Sequence, residues 1–229
     1  MDNRTSRWLS LLPMHCVVTA GPTFEPLDEV RRLTNFSTGR LGSELVNFLA
    51  AKGHEVTLLI GQQATYRGER RAQRVETFGT TADLRERLRG LAGQGVEAVF
   101  HAAAVSDFAF GKIWSRSPQG ELKETKSGKL STREGTLLAE LIPTEKIIAE
   151  LREWFHNARL VGWKYEVDGD RPGVIRLAGK QIAECRTDAC VANGPAYGEG
   201  FGLLQRGGEL AHLSDAAALF EALEKLVRV

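Results

Sequence analysis

Several features that would place a protein quickly are scarce here. There are three cysteines in 229 residues, Cys16, Cys185 and Cys190. They form no CxxC pair and no metal-ligand spacing, and an odd count in a chain of this size fits a reducing compartment. Cys190 lies in the apolar run ACVAN, where a thiol packs as a small hydrophobe. Aromatic residues are few, at 7%. Neither sign of charge dominates: the net charge is +1, so no bulk field points to nucleic acid or an anionic membrane. No apolar run is long enough to cross a bilayer. Residues 1–20 faintly resemble a secretory signal, with Arg4 and Arg7 ahead of apolar residues. Pro13 and His15 interrupt that run, and Val17-Val18 read better as a first strand. The expected location is therefore the cytoplasm. No internal repeat and no low-complexity linker is visible, so residues 1–229 are expected to form one domain.

What the sequence does have is alternation. HCVVTA, EVTLLIG, RVETFG, EAVFHAAA, RLVGWKY and DACVAN read as strands. GRLGSELVNFLAAKG, TTADLRERLRGLAG, TEKIIAELREWF and GVIRLAGKQIAEC read as the intervening helices. Thr80 and Asp83 are spaced like a capping box. Near the end, GLLQRGGELAHL reads as a hairpin turning at Gly207-Gly208, followed by a last helix capped by Ser214. This pattern predicts an α/β fold: a Rossmann-like three-layer sandwich with a mostly parallel sheet and a C-terminal hairpin. Its ligands are expected beyond the C-terminal strand ends. One segment, 105–136, breaks the rhythm. It is rich in Gly, Ser and Lys and reads as a long functional loop.

The alternation invites an NAD(P)-binding oxidoreductase reading. No GxGxxG follows the first strand; there is only GPT, and GRLG later supplies GxxG alone. The second strand ends in Gly61-Gln62-Gln63, not in the acid that would hold an adenosine ribose. Arg67 offers an NADP-type contact, but nothing in the sequence positions it. The helix start STGRLG suits a different ligand. Its free amides and partial positive charge favour an anion, and Gly39 and Gly42 allow close approach to the backbone. Ser37 is a candidate cap or phosphate donor. Asn35, both donor and acceptor, stands two residues earlier, where it is equally suited to form a turn.

Taken in order, these blocks resemble the phosphopantothenoylcysteine synthetase (phosphopantothenate–cysteine ligase) family of coenzyme A biosynthesis. VTAGPTFEPLDEVRRLTNFSTGRLG is similar to its first block, TAGPTxEPxDxVRxxxNxSSGxxG. HAAAVSDF, SGKLSTREGTLLAELIPTEKII, VGWKYE and DACVAN resemble four later blocks in the same order. Thr38, Trp163 and Phe108 stand where Ser, Phe and Tyr are usual.

The resemblance implies a two-step ligation. A nucleoside triphosphate with Mg2+ activates the carboxylate of 4′-phosphopantothenate as an acyl-nucleotide, and L-cysteine then attacks it. It implies Asn35 and Lys129 as catalytic residues, with Lys126 close enough in sequence to compete for the lysine role. It implies nucleotide or phosphate contacts at Gly21, Ser37, Gly39, Gly42, Ala104, Asp107, Trp163, Lys180 and Asn193, and it assigns no metal ligands. It also implies a homodimer, a stand-alone form lacking the flavin-dependent decarboxylase domain, and a separate decarboxylase acting downstream. GPTFEPLD and the lack of that domain favour CTP over ATP, although NFSTGRLG and WKYE partly match an ATP-type spelling. A nucleotide-sensing domain that kept the fold is the remaining alternative.

Overall fold

The computed structural model describes residues 12–131 and 135–228. The signal-like stretch bearing Arg4 and Arg7 lies outside them. In chain order the first half holds β1 (His15–Ala20), β2 (Phe24–Pro26), β3 (Arg32–Thr34), α1 (Arg40–Ala51), β4 (Glu55–Gly61), β5 (Arg74–Phe78), α2 (Thr81–Gly90) and β6 (Ala98–His101). The second half holds β7 (Phe108–Arg116), β8 (Leu122–Glu124), β9 (Thr136–Pro143), α3 (Ile147–Trp154), β10 (Arg159–Tyr165), α4 (Arg171–Cys185), β11 (Ala189–Asn193), β12 (Phe201–Gln205), β13 (Leu210–Leu213) and α5 (Ala216–Val227).

The main sheet has eight strands in the order β13-β12-β11-β10-β6-β1-β4-β5. From β5 to β11 every neighbour is parallel. β12 and β13 add the expected antiparallel hairpin at one edge. A parallel sheet is covered on both faces, so its strands are apolar at successive positions. β1 demonstrates this. Cys16, Val18 and Ala20 pack with Leu45 and Leu49 of α1 and Leu219 and Leu223 of α5. Val17 faces the other way, toward Leu84 and Leu88 of α2 and Ile147 and Leu151 of α3. α4 sets Val174, Ala178 and Ile182 against Cys190 and Ala192. Burial pushes the Cys190 thiol up to about 12, so it is a packing residue with no thiolate at neutral pH.

Two helix starts differ in detail from the expected ones. At α2 the Thr80 hydroxyl accepts from the Asp83 amide at 3.2 Å. The Asp83 carboxylate, however, reaches back to the Gly79 amide at 2.8 Å, one residue beyond the capping-box partner. At α5 the cap is Asp215, not Ser214: its carboxylate accepts from the Ala218 amide at 2.9 Å. An ionised acceptor makes the stronger cap, and the Ser214 hydroxyl donates to that carboxylate instead.

The largest departure is the segment expected to be one long loop. β7, β8 and β9 form an antiparallel arm in the order β8-β7-β9. Its strands were hidden because the ladder slips between Phe110 and Ile113. A bulge there breaks the two-residue alternation by which a strand is recognised. β2 and β3 form a second small hairpin, pairing Phe24 with Thr34 and Pro26 with Arg32. Both additions leave the main sheet at the C-terminal ends of β1 and β6, where the strand order reverses. This is the crevice in which such folds bind ligands.

Candidate functional site at the reversal of strand order

At the start of α1 the glycines solve a packing problem. Gly39 is the residue before the helix and has φ 76°, a left-handed backbone, with no side-chain cap. Ser37 is therefore not the cap; its amide closes a tight turn onto the Asn35 carbonyl at 2.9 Å. A Cβ on Gly42 would lie 2.6 Å from the Ala20 Cβ, and one on Gly39 would lie 3.3 Å from the Gly21 Cα. Gly21 is itself left-handed (φ 76°) and pressed against Ala64. The three glycines thus bring the helix start directly onto the end of β1. Ser43 is the first amide bonded back, to the Gly39 carbonyl; the amides before it lack intrahelical partners, that of Arg40 donating to the Thr38 hydroxyl at 3.2 Å, and carry the positive end of the helix dipole.

Asn35 ties this helix start to the other side of the crevice. Its side-chain amide donates to the Ala104 carbonyl at 3.1 Å and the Val105 carbonyl at 3.2 Å. Two carbonyl partners require the NH2 end, so the side-chain oxygen is left facing outward. Donating to a substrate oxygen would release one of these carbonyls. Ala104 is held from its own side as well. It bridges to Pro22, donates to the Gly21 carbonyl and accepts from the Thr23 amide. The small residues after β6 are therefore part of a backbone lattice that joins β1 and β6.

Beneath that lattice lies a buried polar seam. The Thr19 hydroxyl meets His101 Nδ1 at 3.0 Å and accepts from the Ala103 amide. The Thr23 hydroxyl donates to Ser106 Oγ at 3.1 Å and accepts from the Ser106 amide. His101 is held neutral by burial, its pKa pushed down to about 4. The histidine was legible in the run EAVFHAAA only as a polar residue in an apolar strand. Thr19 and Thr23 carried no signal of their own.

Lys129 lies elsewhere on the same construction. The turn between β2 and β3 holds the Asp28 carboxylate, whose side chain is 1% exposed. It accepts from the amides of Val30, Arg31 and Leu130 and pairs with the Arg31 guanidinium. The Arg31 guanidinium also donates to the Leu130 carbonyl, and the Glu29 amide to that of Gly128. Lys129 itself is exposed between two anchored residues. Asn35 lies at the base of this hairpin and the clamp at its tip. Four residues of extended chain, about 13 Å, separate Arg31 from Asn35. Lys126 is already engaged with Glu124 at 3.6 Å. The sequence reading missed Asp28 and Arg31; their spacing of three within a turn-rich segment was the available signal.

The remaining candidates divide. Asp107 is exposed at the same edge, its carbonyl accepting from the Thr144 amide. Asn193 ends β11 and Trp163 lies two residues before the end of the neighbouring parallel β10; the register pairs Trp163 with Val191 and Tyr165 with Asn193. Trp163 Nε1 and Asn193 Oδ1 are buried without a hydrogen-bond partner, which is unusual for native polar groups. Lys180 does not join them. It lies well along α4, on the face opposite Ala178, and pairs with Glu184 at 3.7 Å in solvent. Among the described residues no group of three or more His, Cys, Asp or Glu is placed to hold a metal ion, and no helix is long and apolar enough to cross a membrane.

Residues 11–226 match the family described as DNA/pantothenate metabolism flavoprotein C-terminal domain. The chain belongs to this family. It is 33% identical over 184 residues to a coenzyme A biosynthesis bifunctional protein CoaBC of Thermococcus kodakarensis, covering 80% of this chain and 42% of that protein. It is also 33% identical over 187 residues to a cysteine/cysteine sulfinic acid decarboxylase of an unknown prokaryotic organism, covering 81% of this chain and 47% of that protein. The chain thus spans less than half the length of these relatives. The DNA/pantothenate metabolism flavoprotein of Streptococcus pneumoniae shares its fold, with a TM-score of 0.81 at 24% identity over 94% of this chain and 98% of that one. A Cab2 mutant complexed with phosphopantothenate-cysteine shares it too, with a TM-score of 0.65 at 17% identity over 98% of this chain and 89% of that one.

Proposed function

We propose that this protein is a phosphopantothenate–cysteine ligase acting through an acyl-nucleotide. The observation that carries the reading is the junction at Asn35. One side chain ties the free helix start after β1 to the backbone after β6, so an anion on the helix and a carboxylate beside Asn35 would share one crevice. Family membership, a relative described as a coenzyme A biosynthesis protein and a fold-mate holding phosphopantothenate-cysteine support it.

A carboxylate is a poor electrophile. Attack of its oxygen on the α-phosphorus of a nucleoside triphosphate releases pyrophosphate and leaves a mixed anhydride. The cysteine amine then attacks the acyl carbon, the bond to the nucleotide oxygen breaks, and the amine gives up a proton as nucleoside monophosphate leaves. In this reading the amides at the start of α1, with Ser37 and Gly39, hold phosphate oxygens. Gly21 and Gly42 serve by letting that helix start approach. Asn35 orients the carboxylate and then the acyl oxygen, and Lys129 offsets charge on the transferring phosphoryl group. Ala104 and Asp107 border the ribose, while Trp163 and Asn193 offer one donor and one acceptor toward the base. Lys180 is left out of the proposed site. Mg2+ usually enters such sites on substrate phosphates with few protein ligands, which suits an edge where the described residues gather no group of three or more metal-ligating side chains. We keep CTP as the expected nucleotide, with ATP the alternative, and the cytoplasm as the compartment.

A homodimer belongs to the same reading. Lys129, on the arm segment clamped to the tip of the β2–β3 hairpin, lies away from Asn35 at the hairpin's base. The hairpin and arm also expose Val30, Leu33, Phe36, Leu138, Leu141 and Ile142, a concentration of apolar side chains that a monomer rarely leaves open. Fully active monomer in light scattering would remove this part. The test of the function is pyrophosphate release with Mg2+, 4′-phosphopantothenate and L-cysteine, comparing CTP with ATP. Release that depends on phosphopantothenate is the expected result, faster with CTP. No release with either nucleotide overturns the ligase reading.

A further inference from the structure

We infer that Asp28 is a positioning residue that holds Lys129 in its working place by clamping segment 127–130 of the arm to the tip of the β2–β3 hairpin. The inference rests on the ligase reading for what Lys129 does, and on geometry alone for the clamp. A carboxylate with a 1% exposed side chain would be costly to bury unless its oxygens were fully used. Here they are. One oxygen takes the Val30 and Arg31 amides at 2.9 and 2.7 Å. The other takes the Arg31 guanidinium and, from 102 residues further along the chain, the Leu130 amide at 3.1 Å. Arg31 closes the ring by donating to the Leu130 carbonyl at 2.8 Å. The Glu29 amide holds the Gly128 carbonyl at 3.0 Å, and the Leu130 side chain is buried. Both neighbours of Lys129 are therefore fixed, while Lys129 keeps its side chain in solvent. Elsewhere the arm is mostly exposed and has little core of its own, so the clamp is what fixes this stretch. A lysine that must meet a transferring phosphoryl group loses rate steeply when displaced by about 1 Å.

The test compares wild type, Asp28→Asn, Lys129→Ala and the double variant. Amide hydrogen exchange is read first. Exchange at residues 128–130 should quicken at least tenfold in Asp28→Asn, with β1 and β6 unchanged. Unchanged exchange there overturns the clamp, whatever the protein's activity. In the pyrophosphate-release assay, Asp28→Asn should lower kcat about 10- to 100-fold with little change in KM for the nucleotide. On top of Lys129→Ala it should lower kcat less than about twofold. Independent, multiplicative losses in the double variant would mean that Asp28 does not act through Lys129. If wild type releases no pyrophosphate, the ligase reading fails, and the exchange result still decides the clamp. Should Asp28→Asn not fold, Asp28→Glu, which shifts the carboxylate by one methylene, carries the same comparison.

Discussion

Replacing Asn35 by Asp changes almost no volume but reverses the polarity of one end of the side chain. In the wild type the amide donates to the carbonyls of Ala104 and Val105 at 3.1 and 3.2 Å. In the Asn35→Asp variant both ends of the side chain accept, so the one oxygen that replaces the NH2 would face two carbonyl oxygens. Each lost bond is worth about 0.5–1.5 kcal/mol net, and the exposed setting puts these near the lower figure. Asn35→Ala should therefore cost about 1 kcal/mol. Asn35→Asp should cost more, about 2 kcal/mol, because a carboxylate near carbonyls adds repulsion to the lost bonds. The order is unusual, since the near-isosteric variant is the less stable one. Urea midpoints of the three proteins read it directly. Turnover separates the roles further. Asn35→Asp should still release pyrophosphate in a first turnover yet form product about 100- to 1000-fold more slowly, the loss expected for one electrostatic contact to a developing oxyanion. An Asp variant as stable as the Ala variant would refute the geometric argument. Normal turnover by the Asp variant would refute the role of Asn35.

Three other expectations concern separate parts of the structure. Gly42→Ala sets a methyl 2.6 Å from the Ala20 Cβ and should destabilise by about 1–3 kcal/mol through overpacking; an unshifted urea midpoint would contradict it. His101 has its pKa lowered by burial from 6.5 to about 4, so between those values the unfolded chain binds more protons than the folded one. Its share of stability is complete above about pH 6.5 and is lost as pH falls toward 4. At ~1.4 kcal/mol per unit this is about 3 kcal/mol. Wild type should lose that much more stability than His101→Gln on acidification, and parallel curves would disprove it. Lys129→Ala should lower kcat about 100- to 1000-fold, whereas Lys126→Ala should change it less than about threefold; equal losses would return the lysine assignment to the open alternatives.

What the sequence determined by itself was local and periodic. Apolar strands such as His15–Ala20 and amphipathic helices such as Arg40–Ala51 announce themselves because each carries its burial pattern within a few consecutive residues. The unusual spelling around Asn35, Gly39 and Gly42 likewise marked the place where the helix start meets the ends of β1 and β6. The tertiary structure decided what those residues do. Gly42 packs against Ala20 because β1 and α1 are brought together across the intervening hairpin, a contact with no trace in local spacing. Lys180 pairs with Glu184 in solvent because helix α4 turns it away from the sheet. The arm is a sheet, not a loop, because pairing with distant β9 outweighs its own poor alternation. The Asp28 clamp depends on a partner 102 residues away. Hydrogen bonds between segments so far apart exist only once the chain has folded, so one-dimensional patterns could name the residues at this edge but not how they are joined.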